Sequence, residues 1–517
     1  MTRSLAFWTV AIALLTASNP VWAQPAFVNG LTFDGAMLDL TRQLEANQGR
    51  FGFFSDLYYD PVREEWWALS DRGPGGGTLS YETRLHRIAI RVHQVTGEIS
   101  NVTVKETVKF TDPDGLLYPF SGTTNLDGLN PFALHGNAGL LGASFDPEGL
   151  VVDPHTGHFL VADEYGPSLY EFDRQGRLVR VFETPDNLIP KVGVLVNYVA
   201  PRDACSATVL PPFCGLNAGR QDNRGFEGVA ITPDGKKLYA VLQDPLVNEP
   251  PPNNGRDGRT LRIVAFDNDQ TSPTLGKSIA QYAYQLELQA DVRARIIAAG
   301  GVATANDPRQ GRNIGLSAIL AVNQHEFLVL ERDNRGIGVE DPRGVSVVGT
   351  KRIYKISIDD STTDISAVAL PADGDLGAAG ITPVAKSAVW IDLALNTSLP
   401  NGKQVEKWEG MTIGPRLGDN ALSLVVGNDN DYSVTQEAGT NLQSDIYVDF
   451  AGNFLKCPLD AQDTCQLNGT GPGDQTVPAN FHLIPGVLHA YKIPASDLPD
   501  YVEPEKDPRN DEVEDDF

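Results

Sequence analysis

Positive charge, cysteine, histidine and long apolar runs are all scarce in this 517-residue chain. Its 41 Lys and Arg stand against 67 Asp and Glu, a formal net charge of −26. A surface this acidic repels nucleic acid and anionic lipid, and it suits cations. Beyond the first 23 residues no stretch approaches the roughly 20 apolar residues that a membrane-spanning helix needs. The 4 cysteines make no Cys-x-x-Cys pair and the 8 histidines make no His-Glu-x-x-His, so the usual zinc patterns are missing. No Gly-x-Ser-x-Gly elbow, phosphate-binding Walker loop or dinucleotide fingerprint occurs, which leaves metal-assisted chemistry as the open route.

Glycine (50) and proline (35) are plentiful, as expected for many turns between short strands. One sentence is written three times: Asp146-Pro-Glu-Gly-Leu-Val-Val, Arg224-Gly-Phe-Glu-Gly-Val-Ala and Trp408-Glu-Gly-Met-Thr-Ile. Each is followed by a turn and a second strand ending in acids, as in Val161-Ala-Asp-Glu164, Val241-Leu-Gln-Asp244 and Val426-Gly-Asn-Asp429. Weaker copies start at Phe54-Ser-Asp and Gly315-Leu-Ser, with Ser55 and Ser317 where the strong copies have Glu. Five modules of short strands at spacings of about 80 to 100 residues predict an all-β propeller of five to seven blades with long insertions.

Residues 1–23 read as a secretory leader: Arg3, an apolar stretch from Leu5 to Ala17, and Val21-Trp22-Ala23 ahead of Gln24. The expected mature protein is exported, periplasmic or secreted. Two local disulfides, Cys205 with Cys214 and Cys457 with Cys465, fit an oxidising compartment, although four cysteines permit three pairings. The propeller is expected over 24–496, with 289–300 a helical insertion and 497–517 an acidic tail without a fold of its own. Val487–Ile493 matches the third strands Arg352–Ile356 and Ser168–Phe172, so the last blade lacks an outer strand. The segment Phe27–Phe33 is expected to supply it and close the ring.

In antiparallel blades the start of the first strand and the end of the second lie on one face of the disc. That places Glu148, Glu227 and Glu409 around one mouth of the channel. With them go the second-strand acids Asp71, Asp163, Glu164, Asp244, Glu331, Asp333, Asp429 and Asp431. Carboxylates so crowded raise one another's pKa unless a cation joins them, and calcium tolerates such irregular oxygen coordination. Arg72, Arg224, Arg332 and Arg335 adjoin the acids and suit either ion pairs or a bound phosphate. The plainer alternative is that the Glu-Gly pairs are turns and the acids solvated loops.

These motifs, with Val-Leu-Glu-Arg-Asp-Asn at 329–334, resemble the phytase-like family of exported proteins, also described as having esterase-like activity of phytase. The likeness runs from about Phe51 to Ile493. It implies a propeller related to calcium-dependent phytases, with a small phosphorylated ester as substrate, and we expect a monomer. Under it Glu148, Glu227 and Glu409 are expected to be catalytic, and Arg224, Arg332 and Arg335 to hold phosphate. Asp163, Glu164, Asp244, Glu331, Asp333, Asp429 and Asp431 are the expected metal ligands. A propeller lactonase or sugar-acid hydrolase, and a calcium-stabilised binding propeller without catalysis, are the alternatives.

Overall fold

The computed structural model describes residues 25–41, 49–117, 125–199, 215–250, 255–436 and 442–504. The expected leader, Cys205, Cys214 and the residues beyond 504 lie outside the described residues.

Five antiparallel four-stranded sheets follow one another around an axis. Blade 1 is Asp56–Asp60, Glu65–Leu69, Arg84–Val92 and Ile99–Lys109. Blade 2 is Pro147–Val152, Phe159–Asp163, Ser168–Phe172 and Leu178–Val181. Blade 3 is Phe226–Ile231, Lys237–Leu242, Thr260–Asp267 and Ser278–Gln285. Blade 4 is Ile314–Ala321, Glu326–Asp333, Lys351–Ser357 and Ala385–Asp392. Blade 5 takes Lys407–Arg416, Leu422–Asp429 and Gly486–Ile493, and its fourth strand is the N-terminal Ala26–Phe33. The expected closure by an N-terminal strand is therefore present.

Each sheet is open on its own, and the ring closes by lateral packing. The innermost strand of every blade touches those of both neighbours, blade 5 against blade 1 included. The reason lies in the strand pattern. A blade stacked between two others is wet on neither face, so strands such as Phe159–Asp163 and Phe226–Ile231 are buried at every position. Five apolar clusters result, one at each interface between blades. The glycine of the repeated Glu-Gly pair is explained here. A Cβ on Gly149 would lie 2.7 Å from the Val229 amide nitrogen, and one on Gly410 3.0 Å from that of Leu57. Close approach of the inner strands, not a turn, demands these glycines.

Among the described residues several insertions depart from the plain propeller. The expected helix forms as Gln289–Ala298. A further sheet, built on Gln443–Val448 and Phe454–Pro458, separates the second and third strands of blade 5 and carries the disulfide Cys457–Cys465. At the opposite end of the channel, Tyr501, Val502 and Pro504 pack beside inner-strand residues such as Asp56, Met411 and Ile413. Among the described residues no helix is long and apolar enough to cross a membrane.

Candidate functional site

The register of each blade explains how its glutamate reaches the channel. Pairing of first and second strands slips between Pro147 and Gly149, Phe226 and Gly228, Leu316 and Ala318, and Trp408 and Gly410. The skipped residues are Glu148, Glu227, Ser317 and Glu409. A bulge puts two residues opposite one and re-aims a side chain, here at the same step of four blades. Just past the paired partner on each second strand come Glu164, Gln243, Arg332 and Asp429, and Asp71 takes that place in blade 1. One fold position thus carries three acids, an amide and a guanidinium.

All of these residues except Ser317 and Asp429 line a cavity of about 330 Å³ at the mouth. Its wall on blades 5, 1 and 2 is acidic. Carboxylate oxygens of Asp71, Asp146 and Glu148 lie within 4.8 Å of one another, and so do those of Asp71, Asp429 and Asp431. Asp71 belongs to both sets. Burial, reinforced by Asp429 and Asp146, holds the Asp71 carboxyl well above its ordinary range. Burial, reinforced by Asp146 and Glu227, does the same to Glu148. Burial also pushes Asp146 up to about 7 against the pull of Arg72, and Asp429 up to about 7 against the pull of Lys407.

Two side chains brace this wall. Arg72 donates to Asp146 at 2.6 Å, and Lys407 donates to Asp429 at 2.9 Å and to Asp431 at 2.7 Å. The turn presenting Asp431 holds Asp431, Tyr432 and Ser433 at φ of 50°, 54° and 60°. Non-glycine residues occupy that region at a cost of about 1–3 kcal/mol each, and such strain gathers at functional sites. The donor set suits a hard divalent cation. It is all oxygen, and oxygens on opposite sides of a calcium ion at about 2.4 Å each are about 4.8 Å apart.

The wall on blades 3 and 4 is different. Arg332 donates to Glu227 at 3.3 Å and also to Glu409, bridging the glutamates of both neighbouring blades. Ser317 of its own blade turns away to the Trp408 carbonyl at 2.8 Å. Gln243 donates to Glu227 as well. Burial, with Glu164 and Glu409 adding to it, holds Glu227 well above the usual carboxylate range. Arg224 pairs with Asp244 at 2.8 Å. Arg312 donates to the Asp222 carbonyl at 2.7 Å, and the Arg224 charge, with burial, presses it down to about 9.

Of the residues expected from the sequence, Glu148, Glu227, Glu409, Glu164, Arg224, Arg332 and Asp431 line the cavity. Asp429 backs the acidic wall, and Asp244 lines a recess beside the arginines. Four others are placed elsewhere. Asp163 accepts the amides of Asp146, Tyr165 and Gly166, and Asp333 accepts those of Gly349 and Thr350. Glu331 accepts the Tyr284 hydroxyl at 2.5 Å and the Glu287 amide at 2.9 Å. Arg335 reaches the Val302 and Val347 carbonyls and Asp307. Asp146, Gln243, Arg312, Glu406 and Lys407 were not anticipated. Extending the repeat two residues upstream of the glutamates finds Asp146 and Lys407; no repeat signal marks Arg312.

Comparisons with known proteins identify a family. A family model described as phytase-like, esterase-like activity of phytase, matches residues 49–432. A protein of Arthroderma benhamiae described as an uncharacterized secreted protein is 28% identical over 442 residues, spanning 74% of this chain and 80% of the relative. Among solved structures, the Dos1 propeller matches 87% of this chain and 69% of its own at 7% identity and a TM-score of 0.26. Streptogramin B lyase matches 90% and 97% at 8% identity and a TM-score of 0.27.

Proposed function

The chain belongs to the phytase-like family, and on that premise we propose that it is an exported, calcium-dependent ester hydrolase acting on phosphomonoesters at the propeller mouth. The observation that carries the reading is the pair of carboxylate triads sharing the buried Asp71, set across one cavity from Arg224, Arg312 and Arg332. Export is supported by the Cys457–Cys465 disulfide and by the secreted relative.

In this reading Asp71, Asp146, Glu148, Asp429 and Asp431 hold the cation, with Glu164 beside them on the same wall. When bound, a hard divalent ion supplies Lewis-acid polarisation of a phosphoryl oxygen and a more acidic water. The chain's own residues do the rest. Arg332, fixed between Glu227 and Glu409, presents its guanidinium to phosphoryl oxygens from the side opposite the acidic wall. Glu227 and Glu409 flank it. Burial raises the Glu227 pKa above the usual carboxylate range, the direction in which a general acid is tuned. Arg72 and Lys407 hold the ligand carboxylates in place without an ion.

The test is phosphate release from a panel of phosphomonoesters by protein beginning at Gln24, with calcium and then with chelator, beside Glu227→Gln. We expect calcium-dependent release that the folded variant loses by about 10²-fold or more. Release unaffected by chelator, or none from any ester while calcium raises only the melting temperature, overturns the proposal.

A further inference from the structure

Local bonds alone do not account for the turn that presents Asp431. Asp431, Tyr432 and Ser433 stand in succession in the left-handed region, which residues other than glycine enter singly and seldom in a row. Within the turn, Asp429 accepts the Asp431 amide at 2.8 Å and Asn430 accepts that of Tyr432 at 3.0 Å. The other ties come from distant parts of the chain. Ser433 Oγ accepts the Ile484 amide at 2.8 Å, and Asn430 Nδ2 donates to the Ile484 carbonyl at 2.7 Å. The Tyr432 carbonyl accepts from Arg50 Nη1 at 3.2 Å. Of the proposed cation ligands, Asp431 alone sits on the segment that leads from the second strand of blade 5 into the inserted sheet.

Arg50 is itself anchored in that sheet. It gives two bonds to Asp445, at 2.6 and 2.9 Å, and both side chains are buried. A forked pair of this kind fixes direction as well as distance. Asp445 lies opposite Val434, the residue after the turn, on one side and opposite Cys457 on the other. Its Oδ2 also accepts the Gln462 amide at 2.9 Å, and Gln462 lies in the loop that the Cys457–Cys465 disulfide closes. The Tyr447 hydroxyl donates to the oxygen of the same amide at 3.1 Å. Side-chain contacts therefore run without a break from the disulfide loop through Asp445 and Arg50 to the turn.

We propose that Arg50 is a positioning residue for the cation site: held by Asp445 and the disulfide-closed loop, it fixes the Tyr432 carbonyl and so aims Asp431 at the oxygens of Asp71 and Asp429. As a statement about the cation this rests on the calcium reading above. As a statement about the turn it stands alone. A carboxylate aimed in advance loses less freedom when an ion binds, so the inserted sheet sets affinity without touching the ion. The disulfide then serves the site as well as the stability of the insert, because it closes the loop that carries Gln462.

The experiment uses the chain from Gln24 onward, with its disulfide formed and stripped of metal. Amide exchange at residues 429–436 is followed by mass spectrometry, and calcium is then titrated by calorimetry. Arg50→Gln combined with Asp445→Asn removes both buried charges together, so that neither is left unpaired. The expected result is about tenfold faster exchange at the turn, with the buried strand Phe159–Asp163 unchanged, and calcium binding weakened about tenfold or more. Gln462→Ala, which cuts only the link to the disulfide loop, is expected to move both readings the same way by a smaller factor. Arg87→Gln, at an exposed ion pair of blade 1, moves neither. Where the wild type binds calcium, equal affinity or equal turn exchange in the double variant overturns the proposal. Exchange that rises as much in Phe159–Asp163 as at the turn also overturns it, since the pair would then only hold the fold together. A wild type that takes up no calcium removes the calcium reading, and the turn's exchange decides the positioning role by itself: faster in the double variant supports it, unchanged overturns it.

Discussion

The two sides of the propeller mouth occupy equivalent positions in the fold and have opposite chemistry. On blades 5, 1 and 2 the equivalent position at the end of the second strand holds Asp429, Asp71 and Glu164; on blades 3 and 4 it holds Gln243 and Arg332. The first-strand bulge holds glutamate on blades 2, 3 and 5 and serine on blade 4, and Ser55 stands at the equivalent place of blade 1, just before its first strand. Blade 4 is the telling case: where Ser317 withdraws to a backbone carbonyl, Arg332 reaches across to the glutamates on either side. A repeat can therefore keep its backbone and glycine spacing, which the ring requires, while its side chains polarise the channel from one edge to the other.

The largest effect is expected from breaking the arginine side. Arg332→Gln leaves Glu227 and Glu409 buried without their shared cation, and removing one partner of such a set costs about 3–5 kcal/mol. Urea unfolding at neutral pH measures the loss. Adding Glu409→Gln should restore part of it, and a loss below about 1 kcal/mol would mean that Arg332 does not neutralise the pair.

Less is expected from the seam that both sides share. In Gly149→Ala the new Cβ must move the backbone at Gly228 and Val229, from which it would lie 2.7–2.8 Å. Overpacking of this kind costs about 1–3 kcal/mol. The paired control Gly76→Ala, at φ 59° with open space around it, meets backbone strain alone. Equal unfolding midpoints for Gly149→Ala and the wild type would contradict close approach as the reason for the repeated glycine.

The smallest effect lies on Gly486–Ile493, the strand that the closing strand pairs with. His489, between Phe27 and Trp408, is held down to about 4 by burial. Its folded pKa is below the unfolded value of about 6.5, so the stability it contributes is present above 6.5 and is lost as pH falls toward 4. Between pH 7.5 and 5.5 the loss is about 1 kcal/mol. The difference in unfolding free energy between those two pH values should be smaller by that amount in His489→Gln; an identical difference would show that the ring does not stay neutral.

The ring was legible because a propeller repeats its own punctuation. Three Glu-Gly starts, two Ser substitutes and a third strand lacking its partner were enough to expect five modules closed by Phe27–Phe33. Half of the mouth was legible for the same reason. Glu331 and Asp333 show where the reading stops. Strand side chains alternate, so once Arg332 points at the channel the residues on either side of it cannot. One is bound to Tyr284 and the other to the amides of Gly349 and Thr350. Arg312 was not legible because it precedes the copy of the repeat that lacks its glutamate, and only the packed structure sets it beside Arg224. The sheet inserted into blade 5 was hidden because its strands carry no part of the repeat.

The central claim is that Asp71 joins two cation-holding triads on one side of the mouth. Calorimetric titration of calcium into metal-stripped protein beginning at Gln24, beside Asp71→Asn, tests it most directly. Asn keeps the side-chain oxygen that accepts the Gly73 amide at 2.8 Å, so the local turn survives. Calcium binding by the wild type, lost or weakened at every site in Asp71→Asn, is the predicted result. No binding by the wild type, or the same binding in both proteins, would contradict the account.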